Sequence, residues 1–555
     1  MTGIHSLKKV NISAFGIAIV LYCLVASGAF GIEEIIPLVG PGMTIILLAI
    51  FPLIWGLPIS NLVAECNAIM PAEGGVQTWA RAALGEFWGY QVGWWAIVST
   101  YISSGEYVAL AAGYADQLFG LDATGSFLIK IAMIALFTII NLLGFKEVEK
   151  SDAVLSLIIV VVFALVTVIG FGSWQTNPME PVLAPEIVPS DIAEGMLLCV
   201  WMYCGFECIA AMGGEIKNPG AVSKGLKIAL PLIALSYILP TFAGIAALPE
   251  GSWVDWGVDG GMTEETLGYA SVLEQSFPGF GALLFLPVAI FSECAIYNTY
   301  LASGSRNLFV LAEDNLFPKG VAKLTSRSRV PYVAILTITL SSIILSQLEF
   351  TVLVELESVF ILATYVVLSI TVMRFRKMYP VEQRSKAVKE GTIGGGKFGL
   401  MWCVLLPIII SFVAFMLNDL EYLLYSIIAL GSGIVAYVIC KHVYGGRDAK
   451  SFAERVAEEI GDEPSAPVTE AVIAQDGIAA GTEATAGEIL VGTMLTDVVG
   501  STSVGEAKPA EEAPKEAAKH RLTRHPLNPD DGGQIALFVG ILVLLAFLGL
   551  AASLI

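Results

Sequence analysis

Twelve apolar stretches, each close to the length of a membrane-crossing helix, dominate this chain and leave few folds open to it. They fall at about 12–38, 42–69, 86–115, 126–144, 152–173, 192–214, 226–248, 280–303, 331–348, 352–373, 399–417 and 422–441, with a thirteenth at 535–555. A helix needs about 20 apolar residues to cross the hydrocarbon of a bilayer. Backbone groups find no water there, so each stretch is read as a helix that satisfies its own hydrogen bonds. The composition agrees: 56% of the 555 residues are hydrophobic and 14% are charged, against about 25% charged in soluble domains. A cytosolic enzyme, a secreted disulfide scaffold and a disordered protein are excluded.

The charges orient the spans. With the N-terminus in the cytoplasm, the inner loops hold Lys8, Lys9, Arg81, Lys146, Lys150, Lys217, Lys224, Lys227, Arg306, Lys319, Lys323, Arg327, Arg329 and the cluster from Arg374 to Lys397. The outer loops carry no lysine or arginine, and one of them holds Glu250, Asp255, Asp259, Glu264, Glu265 and Glu274. Such a split follows the positive-inside rule and supports every crossing at once. Lys130 alone breaks it, near the outer end of span four, where a lysine snorkels to the interface.

Residues 1–11 are thus a cytoplasmic N-terminus and 12–443 a twelve-helix core. Residues 444–532 are rich in Ala, Glu, Thr, Gly and Pro, with 17 acidic and 8 basic residues. They read as a mostly disordered cytoplasmic linker to a thirteenth membrane helix at 533–555, which places the C-terminus outside. The linker supplies about −9 of the net charge of −20.

Other chemistries are bounded quickly. Most of the eight cysteines lie in apolar segments with no extracellular pairing pattern. The four histidines, His5, His442, His520 and His525, all lie outside the apolar spans. A histidine-based triad or an intramembrane zinc site therefore lacks its usual base or ligand. No Walker loop is present, so nothing points to ATP. No cofactor and no nucleic-acid partner is expected; the partners are a small-molecule substrate and membrane lipid.

Two spans are interrupted at mid-depth. Span one contains Ser27-Gly28-Ala29-Phe30-Gly31 and span six contains Tyr203-Cys204-Gly205-Phe206-Glu207. Glycine costs about 1 kcal/mol in a helix interior, and unwound backbone survives at that depth only inside protein or along a polar cavity. Matching breaks five spans apart mark an inverted-repeat secondary transporter. Close packing of small residues is the blander explanation of either break alone.

The half-helix that starts near Gly31 directs its N–H groups and positive dipole end to the centre, which suits a carboxylate. Free carbonyls near Tyr203 suit an ammonium, so a zwitterion or an amine fits between the breaks. Glu33 and Glu34 occupy the first turn of that half-helix, use part of its positive field and make a purely cationic substrate more plausible.

Intramembrane acids are costly and mark function by default. Glu207, beside the second break, is the leading candidate for a proton carrier or amine partner; Glu106 in span three and Glu293 in span eight follow, with helix–helix hydrogen bonding as the alternative. Glu65, near the cytoplasmic end of span two, is expected to pair with a basic loop residue. Phe30, Trp201, Phe206 and Tyr300 are candidate gating aromatics because they lie near the breaks.

At these residues the chain resembles the amino acid–polyamine–organocation permease superfamily over residues 10–443. Phe30-Gly31-Ile32-Glu33 is similar to the first-span element of its polyamine and amino-acid uptake branch, and Pro71-Ala72-Glu73-Gly74-Gly75 to its signature after span two. Gly205-Phe206-Glu207 with Glu215-Ile216-Lys217-Asn218-Pro219 resembles its most characteristic motif. Ser305-Arg306, Ala312-Glu313-Asp314 and Pro318 resemble the end of its eighth helix.

The resemblance implies an all-α membrane protein with a LeuT-like fold. A 5+5 inverted repeat would cover about 12–173 and 192–373, with two further helices at about 399–441. It implies alternating access, an aromatic gate at Trp201 and a substrate-facing Tyr300. The chain departs from the pattern at Ala26 and Ala29, and its fifth span, Ser151 to Gly170, lacks the lysine some relatives carry. Coupling then falls to Glu207, or transport is exchange without net coupling.

The expectation is a cell-membrane permease, not an enzyme, moving amino acids or related amines by proton symport or exchange. A polyamine uptake permease is the alternative within that class. A nutrient sensor signalling through its acidic tail is the alternative outside it.

Overall fold

The computed structural model describes residues 11–445, apart from residues 27, 73, 212, 214, 215, 217, 219, 258–267, 418 and 419. The linker and thirteenth span expected at 444–555 lie almost wholly outside the described residues, as does Ser27.

Eight described helices are long and apolar enough to cross a membrane. They are Pro41–Ile69 (span two), Ala123–Leu143 (four), Phe145–Gly172 (five), Gly220–Ala247 (seven), Gly281–Glu313 (eight), Phe350–Met378 (ten), Gly396–Leu417 (eleven) and Leu420–Tyr444 (twelve). The other four windows are covered differently. Span three is a long, more polar helix at Glu86–Phe119, and span nine is the short helix Tyr332–Leu345. Span one is split into Ala14–Val25 and Ile35–Val39, and span six into Pro189–Met202 and Cys208–Ala211.

Local chemistry sets the ends. Ser13 caps span one by accepting from the Gly16 amide at 3.0 Å, and Asp122 caps span four by accepting from Gly125 at 2.8 Å. Span two widens into a π turn at Pro52–Gly56, as helices often do near functional sites. Lys130 donates to the Ser346 carbonyl at 2.6 Å and so caps the end of span nine.

Spans three and eight pack along each other at the centre. Span three also packs on spans nine and ten, and span eight on spans four and five. Adding five to each number, or subtracting it, exchanges these pairings, as a structural repeat of five spans requires. Four-fifths of the apolar window of span ten is buried (78%), against 28% for span five. Leu157, Val168, Leu340 and Ile428 stand exposed on the periphery, the surface a bilayer would solvate.

The basic face is tied by ion pairs. Glu65, 1% exposed, accepts from Arg376 at 2.7 Å, from Arg384 at 2.8 Å and from the Ile393 amide at 2.9 Å. The pairing expected for Glu65 is thus made twice. Arg81 pairs with Asp314 and Glu86, and Glu86 also with Lys441.

Candidate functional site

Glycine makes the breaks possible. Gly28, Gly31 and Gly205 have φ of +111°, +77° and +93°, a region that other residues enter only at a cost. The two breaks meet: a Cβ on Gly205 would lie 2.9 Å from the Leu24 carbonyl oxygen and 3.3 Å from the Tyr300 hydroxyl. One on Gly31 would lie 3.2 Å from Trp201.

Glu33 occupies the first turn of the half-helix, as expected, and is buried there. Its carboxyl turns back onto the amides of Gly31 and of Glu33 itself and faces Tyr114. The positive end of the half-helix is therefore faced by a carboxyl group from the chain itself.

Aromatic packing closes the acidic side of the breaks. Phe30 meets Phe163 at 4.9 Å between ring centroids, Phe285 at 5.4 Å and Tyr114 at 5.6 Å. Trp201 meets Phe350 at 5.2 Å and Tyr107 at 6.0 Å. Beneath them lies a void of about 10 Å³, lined by Ala26, Phe30, Tyr107, Trp201, Tyr237 and Glu293. A second cavity, of about 50 Å³, is lined by Ser99, Glu207, Cys208 and Tyr300, and reaches Gln77 and Asn307 toward the basic face. A water needs roughly 10–15 Å³ and small-molecule pockets run to hundreds. Neither void, among the described residues, has room for a small-molecule substrate.

The expected residues divide. Glu207, Tyr300, Phe30, Trp201 and Glu293 line one cavity or the other, and Cys204 Sγ is 3.7 Å from the Tyr300 hydroxyl. Tyr203 turns away and donates to the Leu48 carbonyl at 3.2 Å, and Phe206 is fully buried against span two near Gly56. Ala29 is buried at the break.

Two residues of span ten went unread in the sequence. Tyr365 donates to Glu207 and accepts from the Gly205 amide at 3.2 Å. Glu357, 1% exposed, accepts from Ser99 at 2.6 Å and from Ser103, and faces Glu106. Glu357 sits within the apolar run of span ten, and that was the one available signal.

Five carboxyls thus converge on the breaks: Glu33, Glu106, Glu207, Glu293 and Glu357. Along span eight the next base, Arg306, comes thirteen residues after Glu293, about 20 Å of helix. Such a site can take cations or protons. Among the described residues, no group of three or more His, Cys, Asp or Glu is arranged to hold a metal ion.

Comparison with known proteins agrees with this architecture. Residues 12–433 match a family model described as amino acid permease. The chain is 26% identical over 448 residues to the polyamine transporter RMV1 of Arabidopsis thaliana, covering 79% of this chain and 87% of that one. It is 25% identical over 475 residues to the polyamine transporter PUT1 of Oryza sativa subsp. japonica, covering 82% and 85%. It is also 25% identical over 299 residues to the uncharacterized transporter Rv1999c of Mycobacterium tuberculosis, covering 52% and 64%. Broken helices, an all-helical multi-pass core and this match give one conclusion: the chain belongs to the amino acid permease family of the amino acid–polyamine–organocation superfamily, and is a membrane transporter.

Proposed function

We propose that this transporter carries amines that are cations without a carboxylate, polyamines above all, rather than zwitterionic amino acids. Glu33 carries the reading. An amino acid would present its carboxylate to the half-helix amides at Gly31 and Glu33, and the buried Glu33 carboxyl already faces them. The buried Glu106, Glu293 and Glu357 and the half-buried Glu207 then suit ammonium groups. The plant relatives RMV1 and PUT1, named as polyamine transporters, support the same substrate class.

Substrate would be held between the two breaks and released by alternating access. Phe30 and Trp201 would gate the acidic side, taken as outside, while Glu207 and Tyr300 face the cavity toward the cytoplasm. Glu207 serves as proton carrier, by symport or exchange. The test is uptake of labelled putrescine and spermidine by proteoliposomes holding the full chain, with amino acids as competitors. Polyamines should be taken up and should compete with each other, while neutral amino acids do neither. Uptake of a neutral amino acid without polyamine uptake would overturn the reading.

A further inference from the structure

Glu106 and Glu357 face each other across the contact between spans three and ten, and both are buried. Both oxygens of Glu106, Oε2 of Glu357 and the buried Trp201 Nε1–H face one another without a hydrogen bond of full geometry among them. Two carboxylates facing each other out of water repel, so a positive charge belongs between them, either a proton or a cation.

The surroundings leave that place open. Glu207 and Cys204 of span six, Glu293 and Tyr300 of span eight and Tyr107 of span three act on the pair, and none of them is a base. Among the basic residues of these and neighbouring elements, Lys130 is engaged on the Ser346 carbonyl, Lys441 on Glu86, Arg81 on Asp314 and Arg306 on the Ala302 carbonyl, while those of span ten begin seventeen residues after Glu357, at Arg374, and Lys397 lies in the first turn of span eleven. Span nine carries none.

The pair also stands between the two cavities. Ser99, which holds Glu357, lines the cavity of Glu207, whereas Trp201 and Tyr107, beside Glu106, line the void of Glu293. From this placement we infer that Glu106 and Glu357 form a second ammonium site, one that holds a proton when empty and exchanges it for an amine of the substrate. The inference rests on the polyamine reading and deepens it. An extended diamine places one ammonium near Glu207 and the other at the pair once the two cavities join. The carboxylic O–H bond breaks, its proton goes to water, and R–NH3+ takes its place, so charge at the pair is unchanged.

Calorimetry on the full chain, in two buffers of different ionisation enthalpy, tests this with α,ω-diamines of three to six carbons and with butylamine. Wild type should release a proton for each diamine bound. Glu357→Gln should abolish that release and weaken diamine binding tenfold or more, with butylamine affinity within about threefold. Glu106→Gln, should the first variant melt early, should do the same. Diamine binding with no proton released, or equal in wild type and a folded variant, would overturn the site. Wild type that binds no amine at all would overturn the proposed function instead, and the site with it.

Discussion

Tyr365 of span ten clamps the broken part of span six at two points, donating its hydroxyl to Glu207 and accepting the Gly205 amide. Removing the hydroxyl leaves one backbone N–H without its acceptor and Glu207 unoriented. A hydrogen bond to a charged group is worth about 1.5–3 kcal/mol. Tyr365→Phe should therefore slow polyamine uptake by roughly ten- to a hundredfold while leaving the detergent-extracted protein folded. Uptake in proteoliposomes beside a thermal melt measures both.

Glu207→Gln keeps the size of the side chain and removes its titration. Uptake should lose its dependence on pH, and the melt should stay close to wild type. A pH profile in proteoliposomes that matches wild type would move proton coupling to another carboxyl.

Glu33→Ala empties the positive end of the first half-helix. The amides of residues 31 and 33 then become available to a substrate carboxylate. Competition of arginine against labelled putrescine should strengthen, and that of putrescine itself weaken. Arginine competition unchanged from wild type would show that Glu33 does not set this preference.

Gly28→Val acts through the backbone. A Cβ there would lie 2.3 Å from Phe163 Cε2, at a φ of +111°. Strained dihedrals of this kind cost about 1–3 kcal/mol, and the displaced Phe163 would push on Phe30. Substrate binding should be lost and the melting temperature lowered; binding at wild-type affinity would refute the placement of the site.

Glu65 holds two guanidiniums on the basic face, and Glu65→Gln strips them of their carboxylate. Breaking a buried pair from one side costs about 3–5 kcal/mol. Arg376 and Arg384 are partly and almost fully buried, so a loss toward that size is expected in chemical denaturation.

The breaks were legible because glycine recurs at mid-depth in two spans five apart, a coincidence that close packing of small residues does not require. The apolar helices were legible because hydropathy depends on composition alone, and eight of the expected windows carry helices long and apolar enough to cross a membrane. Facing was not. Glu355 and Glu357 sit two apart in the same apolar run, yet Glu355 is exposed and Glu357 buried against Ser99 and Ser103. Two residues turn a helix by about 200°, and the face that looks inward is decided by packing partners hundreds of positions away. Glu33 is a helix-start acid as expected, but its burial was not legible, since its sequence neighbours do not reveal that Tyr114 faces it. Tyr203 was picked out by its nearness to a break, but its ring follows the helix and meets span two.

The seat of Gly205 on the Leu24 carbonyl ties two places in the chain that lie far apart in sequence. Any side chain at 205 would have to shift the backbone of span one, and with it the Gly28 and Gly31 turns. A swing of one broken helix that keeps this contact must carry the other with it, like two leaves on one pin. Diversity at either position is therefore not free: a lineage that fills position 205 has to re-route the chain at 24 as well.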